Sequence, residues 1–196
     1  MHARRCRVWP PLTERRLPRP PSASPAAPAA PAGDRLQGLP PVVSHSTRLL
    51  VLGSFPGVAS LQAQQYYGHP RNHFWPILSA LWGVELVGQT YPQRLAELRR
   101  RGLGLWDLYA NCRRLGSLDQ AIEDAEWNDF ASLRQRLPRL RAVAYNGGES
   151  ARAMRQLAAL GLQGVRLPST SPANTSWSFE RKLAVWRAAF EAVGVT

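Results

Sequence analysis

Cysteine is scarce in this 196-residue chain. Cys6 and Cys112 are the two it has, too few for a disulfide framework or for a four-cysteine zinc or iron–sulfur site. Lysine is scarcer still: Lys182 is the only one among 25 basic residues, so arginine carries the positive charge. No apolar run comes near the roughly 18 residues of a membrane span, which points to a soluble, cytoplasmic protein without a membrane partner. The glycine loops that cradle phosphates, GxGxxG and GxxxxGK[ST], are missing. So is the G-x-S-x-G elbow that places a hydrolase serine.

Acidic residues are also few. Thirteen of them face the 25 basic ones, and the formal charge of +12 suits a polyanionic partner such as nucleic acid. An arginine-biased composition alone produces the same surplus. Half of it lies in residues 1 to 48, where eight arginines meet only Glu14 and Asp34; the rest of the chain is therefore basic on its own account. Residues 1 to 45 also hold ten of the 17 prolines. Such a segment cannot bury enough apolar surface to offset its ordering entropy, so a disordered tail is expected over 1–45 and a folded domain over 46–196. Two other readings of the tail stay open: an arginine-rich transit segment, whose helix these prolines would break, or a protein whose true start is near Val42.

What remains is one ordinary domain with a sizeable core, in a chain that is 44% hydrophobic as a whole, and it holds most of the seven tryptophans. Leu49–Leu52, Gly104–Tyr109, Leu140–Tyr145 and Gly164–Leu167 read as short strands. Phe74, Trp75, Leu78, Leu81 and Trp82 fall at helical spacing, with Pro76 tolerable in the first turn. Pro92–Arg101 reads as a helix that stops at Gly102, and Glu149–Leu160 as one that starts on an acid, as the helix dipole favours. Ser117–Ile122 and Trp127–Leu137 read as short helices, with Asn128 or Asp129 as a cap. The last helix places Phe179, Leu183, Trp186 and Phe190 on one stripe. Strands alternating with helices imply an α/β fold, a three-layer sandwich around a four-stranded parallel sheet. Ligands of such sheets sit beyond the carboxyl ends of the strands.

Two polar stretches fall there. The first, GSFPGVASLQAQQYYGHPRNHFW over Gly53–Trp75, is too long for a βα connection of about 2 to 6 residues. Gly53 and Gly57 let backbone approach a ligand. Phe55, Tyr66 and Tyr67 offer flat faces, and Ser54, His69, Arg71 and Asn72 offer hydrogen bonds. A packed Gly-Pro turn is the plainer reading. The second stretch, LPSTSPANTSW over Leu167–Trp177, read alone, is an ordinary capped loop.

Together the two stretches resemble the paired motifs of the uracil-DNA glycosylase superfamily. GSFPG followed by YYGHPRNHFW is similar to the first motif of the mismatch-specific branch, whose catalytic asparagine stands where this chain has Phe55. Phe at that place, with an asparagine in the RNxFW segment, resembles the hypoxanthine-DNA glycosylase (DNA-deoxyinosine glycosylase) family. That likeness puts the catalytic role on Asn72. LPSTSPANTSW resembles the second motif, with Ser169 in place of its His or Asn, Ser171 on its Ser, Pro172 on its Pro or Gly, and Ala173 on the leucine that wedges into the duplex. Alanine is too small for that wedge, so either another side chain supplies it or flipping relies on weak pairs. GSLD at 116–119 and NDF at 128–130 also look like the hypoxanthine family, and the likeness spans residues 48–193.

The resemblance implies a DNA repair enzyme that hydrolyses the N-glycosidic bond of a flipped deaminated base, with DNA containing such bases as partner, no cofactor and no metal. A monomer associated with a bacterial nucleoid is expected. A uracil or mismatch glycosylase, or a binding module without catalysis, are the alternatives. Asn72 would hold the attacking water through its carbonyl. Tyr67 and Phe55 would stack on the base, while Ser54, Ser169, Ser171 and Asn174 would grip flanking phosphates or the base edge. Asn146 either reads a base edge or stabilises its turn, and His69 either meets substrate or only fixes its loop. Asp107 and Asp119 are open between pocket acids and helix caps. Lys182, on an amphipathic helix, is expected to be solvated, which leaves no amine nucleophile and implies a monofunctional enzyme.

Overall fold

The computed structural model describes residues 34–195. In chain order they form β1 (Arg35–Gln37), β2 (Leu49–Gly53), α1 (Val58–Ala63), α2 (Phe74–Trp82), α3 (Tyr91–Arg101), β3 (Leu103–Asp107), β4 (Tyr109–Arg113), β5 (Glu123–Trp127), α4 (Phe130–Arg136), β6 (Ala142–Asn146), α5 (Met154–Ala159), β7 (Gln163–Leu167) and α6 (Phe179–Val193). The main sheet runs β3-β2-β6-β7, and every neighbouring pair is parallel. This is the four-stranded parallel sheet that the alternating runs imply.

Side chains along a strand point alternately to its two faces, and here both faces are covered. From one face, Leu49 and Val51 of β2 join Leu103, Leu105, Ala142 and Ala144 against Phe74, Ile77 and Leu78 of α2 and Trp186 and Phe190 of α6. From the other, Leu50 and Leu52 join Trp106, Val143 and Tyr145 against Phe130 and Leu133 of α4 and Leu157 of α5. All five residues of β2 and of β3 are buried, which is why these strands read as unbroken apolar runs. Full burial of one such side chain is worth about 1.5–3 kcal/mol. The chain passes from β2 to β3 on one side of it and later crosses back to β6 on its other side, so a crevice opens beyond the carboxyl end of β2.

Several boundaries differ from the sequence reading. The run expected over Gly104–Tyr109 breaks at Leu108, whose N–H donates to the Gly53 carbonyl at 2.8 Å. It then resumes as β4 in a second, antiparallel sheet of order β1-β4-β5. The short, mostly exposed β1 and β5 give no apolar alternation to read. Residues 123–127 are therefore strand, and the helix expected from Trp127 begins at Phe130, where the Asp129 side chain accepts from the Ser132 N–H at 3.0 Å. The helix expected over Glu149–Leu160 opens with a 3-10 turn at Ser150–Ala153 and becomes α-helical at Met154.

The expected tail is corrected as well. Residues 1–33 lie outside the described residues, but 34–45 do not behave as a tail. β1 pairs with β4, Leu39 and Val42 are buried, Val42 bridges to Leu105, and the Tyr66 hydroxyl donates to the carbonyls of Leu39 and Pro40, both at 3.2 Å. Proline-rich composition hid two core residues. A chain beginning at residue 46 should therefore unfold at lower urea concentration than one beginning at residue 34, by a stability difference of about 3 kcal/mol or more from the two buried side chains; equal midpoints would place residues 34–45 outside the fold.

Candidate active site

The carboxyl ends of the four parallel strands open into one cavity of about 320 Å³, a size that suits a small organic group. Its lining includes Ser54, Phe55, Tyr67, His69, Asn72, Asn146, Ser169, Ser171 and Asn174. All nine residues singled out from the sequence thus border one space, although they come from three strand ends.

The first polar stretch folds back as α1 and then reaches Tyr67. This residue has φ of +55°, a conformation that costs a non-glycine residue on the order of 1–3 kcal/mol. Its ring is stacked on Phe74, with centroids 3.9 Å apart and planes 22° apart, and its hydroxyl accepts from Asn146 Nδ2 at 3.2 Å. Phe74 therefore covers one face of the tyrosine. His69 Nδ1 accepts from the Arg71 N–H at 3.1 Å, which fixes the turn that carries Asn72. The Asn72 side chain accepts from the Phe74 N–H at 2.9 Å, while its Nδ2 has no partner among the described residues. Ser54 donates to Asp119 at 2.6 Å. Phe55 is buried beneath the Arg114 guanidinium, 5.0 Å from its ring.

The second polar stretch is a chain of short-range turns. Ser169 Oγ accepts from the Ser171 N–H and Ser171 Oγ from the Ala173 N–H, each at 3.2 Å, and Asn174 Nδ2 donates to the Ser169 carbonyl at 2.9 Å. Thr170, fully buried, locks this loop to the others. Its N–H donates to Asn146 Oδ1 at 2.9 Å, its hydroxyl accepts from Asn146 Nδ2 at 2.9 Å, and its carbonyl accepts from the His73 N–H at 3.0 Å. The Asn146 carboxamide is thus committed to protein partners at both ends, which favours the turn-stabilising reading over base-edge contact.

The uracil DNA glycosylase superfamily model matches residues 40–192. This chain belongs to the uracil DNA glycosylase superfamily. A protein of Methanosarcina barkeri named hypoxanthine DNA glycosylase is 39% identical over 155 residues, 79% of this chain and 98% of the relative. A protein of the same name from Methanosarcina acetivorans is 37% identical over 154 residues, 79% and 97% of the two chains. The solution NMR structure of a candidate uracil DNA glycosylase from M. acetivorans superposes with a TM-score of 0.74 at 36% identity, covering 82% of this chain and 99% of that one. Among the described residues, no helix is long and apolar enough to cross a membrane.

Two further residues bear on the site: Asp107, which the sequence leaves open between pocket acid and helix cap, and Arg114 against Phe55, which the sequence does not mark. Asp107, at the end of β3, borders the cavity and is only 5% exposed. Its Oδ2 is sealed from solvent and unpartnered. A Cβ at Gly53 would collide with its Oδ1, so the bare backbone of β2 makes room for the carboxyl. Burial first, and then the charge of Asp119, push this acid up to about 7, against the pull of Arg114 and the nearby Tyr66 hydroxyl. One acid closing an apolar run, LGLWD, is the signal that was available. Arg114 is 5% exposed, donates through Nη2 to the Pro56 carbonyl, and steadies the turn around Phe55.

Lys182 corrects an expectation. It is 1% exposed rather than solvated, and its Nζ donates to the Asn174 carbonyl at 2.9 Å. Burial holds the amine below its ordinary range, and the residue does not border the cavity. A single lysine tying down a loop from within an apolar helix face looks, in sequence, like a surface charge.

The raised acid makes stability pH-dependent. Native Asp107 keeps its proton to about pH 7, whereas an unfolded aspartate loses it near pH 4. Between those values the native state binds more protons, so its stability falls as pH rises. Relative to Asp107→Asn, the wild type should lose up to about 1.4 kcal/mol per pH unit between pH 4 and 7 and no more above that; urea titrations across the range that show a constant difference would mean the acid is not raised.

Proposed function

We propose that this chain is a monofunctional DNA glycosylase that hydrolyses the N-glycosidic bond of deoxyinosine and releases hypoxanthine, acting as a monomer on DNA in the bacterial nucleoid. The observation that carries this reading is the pairing of Phe55 with Asn72 on one cavity. A phenyl ring cannot hold a water, so the place used by mismatch-specific enzymes is empty of chemistry, and Asn72 is the carboxamide left to do the work. The two Methanosarcina relatives named hypoxanthine DNA glycosylase support the choice of base.

The chemistry follows from the geometry. The target nucleotide leaves the stack at a cost of a few kcal/mol, least for a mispaired or damaged base, and enters the cavity beside Tyr67. As the bond from C1′ to the base lengthens, its electron pair moves onto the base while positive charge grows on the sugar. Asn72 Oδ1 has a lone pair beyond the one used by the Phe74 N–H, and it orients a water toward C1′. The oxygen of that water bonds to C1′, and its proton passes to solvent or to the departing base. Ser54, Ser169, Ser171 and Asn174 hold the nucleotide at the rim, and the folded part's own basic surplus attracts the phosphates. With the Lys182 amine held by the Asn174 carbonyl, no amine attacks C1′ and the product is an intact abasic strand.

Labelled duplexes carrying deoxyinosine, treated with enzyme under single-turnover conditions and then with alkali, should be cut at the inosine, and without alkali they should stay whole. Asn72→Ala should slow release about 100-fold or more with little change in binding. Full activity in that variant would remove Asn72 from the mechanism, and strand scission without alkali would contradict a monofunctional enzyme.

A further inference from the structure

We infer that Asp107 is the residue by which the cavity tells a deaminated base from its undamaged parent, through a hydrogen bond from its carboxyl O–H to the carbonyl that deamination installs. The inference rests on the glycosylase reading above and names the group that sets its substrate class. Deamination replaces an exocyclic amino group, which donates, with a carbonyl, which accepts. A buried donor facing that position pairs with the lesion and meets the parent base donor to donor. Buried polar groups left unpaired in this way discriminate far more strongly than apolar fit does.

The placement of Asp107 singles it out. Among the described residues, of the buried side-chain oxygens and nitrogens that lack a partner, Asp107 Oδ2 is the one whose residue borders the cavity. Of the other carboxamides and carboxylates there, Asn146 holds Thr170, Asn72 receives the Phe74 N–H through Oδ1, Asn174 holds Ser169, and Asp119 receives Ser54; Asn72 is assigned to the water, and Gln120 is exposed at the rim. A sealed carboxyl without a partner is costly to leave in a fold. Gly53 gives up its side chain to admit it. A protonated carboxyl accounts for the sealed Oδ2, and a ligand carbonyl that accepts from a proton on Oδ1 accounts for the room Gly53 leaves beside that oxygen.

Only the acid form can donate. The ionised form reverses the preference, since it would accept from an amino group and repel a carbonyl. The groups facing Asp107 are Asp119 and Arg114, which push its titration in opposite directions, with Tyr66 and Tyr67 from the first polar stretch. His69 is another titratable group on the same cavity.

The test is the single-turnover rate of hypoxanthine release between pH 5.5 and 9 for the wild type, Asp107→Asn and Asp107→Leu. The wild-type rate should fall about tenfold per pH unit once the acid ionises above about 7. Asp107→Asn, which carries a donor at every pH, should lose that alkaline fall. Asp107→Leu, of similar bulk and with no donor, should be slower by about 100-fold at pH 6, with circular dichroism checking that it folds. An alkaline fall that survives in Asp107→Asn would overturn this inference alone, even if the leucine variant did not fold. A wild type that releases no hypoxanthine at any pH would overturn the proposed function, and this inference with it.

Discussion

Three strand ends are brought to one space by a buried threonine. Thr170 spends its N–H, hydroxyl and carbonyl on Asn146 and His73, and so fastens the loop after β7 both to the end of β6 and to the segment that carries Asn72. Each of these bonds is worth only about 0.5–1.5 kcal/mol net, yet leaving such groups unpaired in the interior would cost more. The clasp is therefore selective rather than strong: it permits one relative placement of the two polar stretches and penalises others. The positive φ of Tyr67 depends on the same clasp, because Asn146 also holds the tyrosine hydroxyl.

Around that clasp the molecule keeps rigid parts and costly parts apart. The sheet is apolar on both faces, and the side chains of α2, α4 and α6 fill the two layers. At its carboxyl edge the same strands end in Gly53, Asp107 and Asn146, where close packing gives way to hydrogen bonds and one unpartnered acid. The stability of a domain this size is a small surplus of large opposing terms, so a sealed aspartate and a left-handed tyrosine persist only because the layers beneath are well packed. Both lie on the cavity rather than elsewhere, as is usual of strain with a functional purpose.

Much of this was legible in the amino-acid sequence. The four parallel strands, the helices over 74–82, 91–101 and 179–193, and the nine residues that share the cavity followed from apolar runs and from two motifs. Features that depend on distant partners did not. β1 and β5 are polar ribbons that become strands only by pairing with β4. Leu39 and Val42 are core residues inside a segment whose prolines suggest disorder, and Lys182 is buried because the Asn174 carbonyl receives its charge. Thr170 stands in a run of serines and prolines where nothing local marks it as the junction. Asp107 was visible as an acid in an apolar strand, but its orphaned oxygen is a property of the folded cavity.

The account stands or falls on where the base goes. A crystal structure with DNA carrying a 2′-fluorinated deoxyinosine, which resists cleavage, tests it most directly. The account predicts the hypoxanthine ring turned out of the duplex into the cavity beside Tyr67, its carbonyl at Asp107 and Asn72 beneath C1′. A base that stays stacked in the duplex, or one that enters with Asn72 far from C1′, would contradict it.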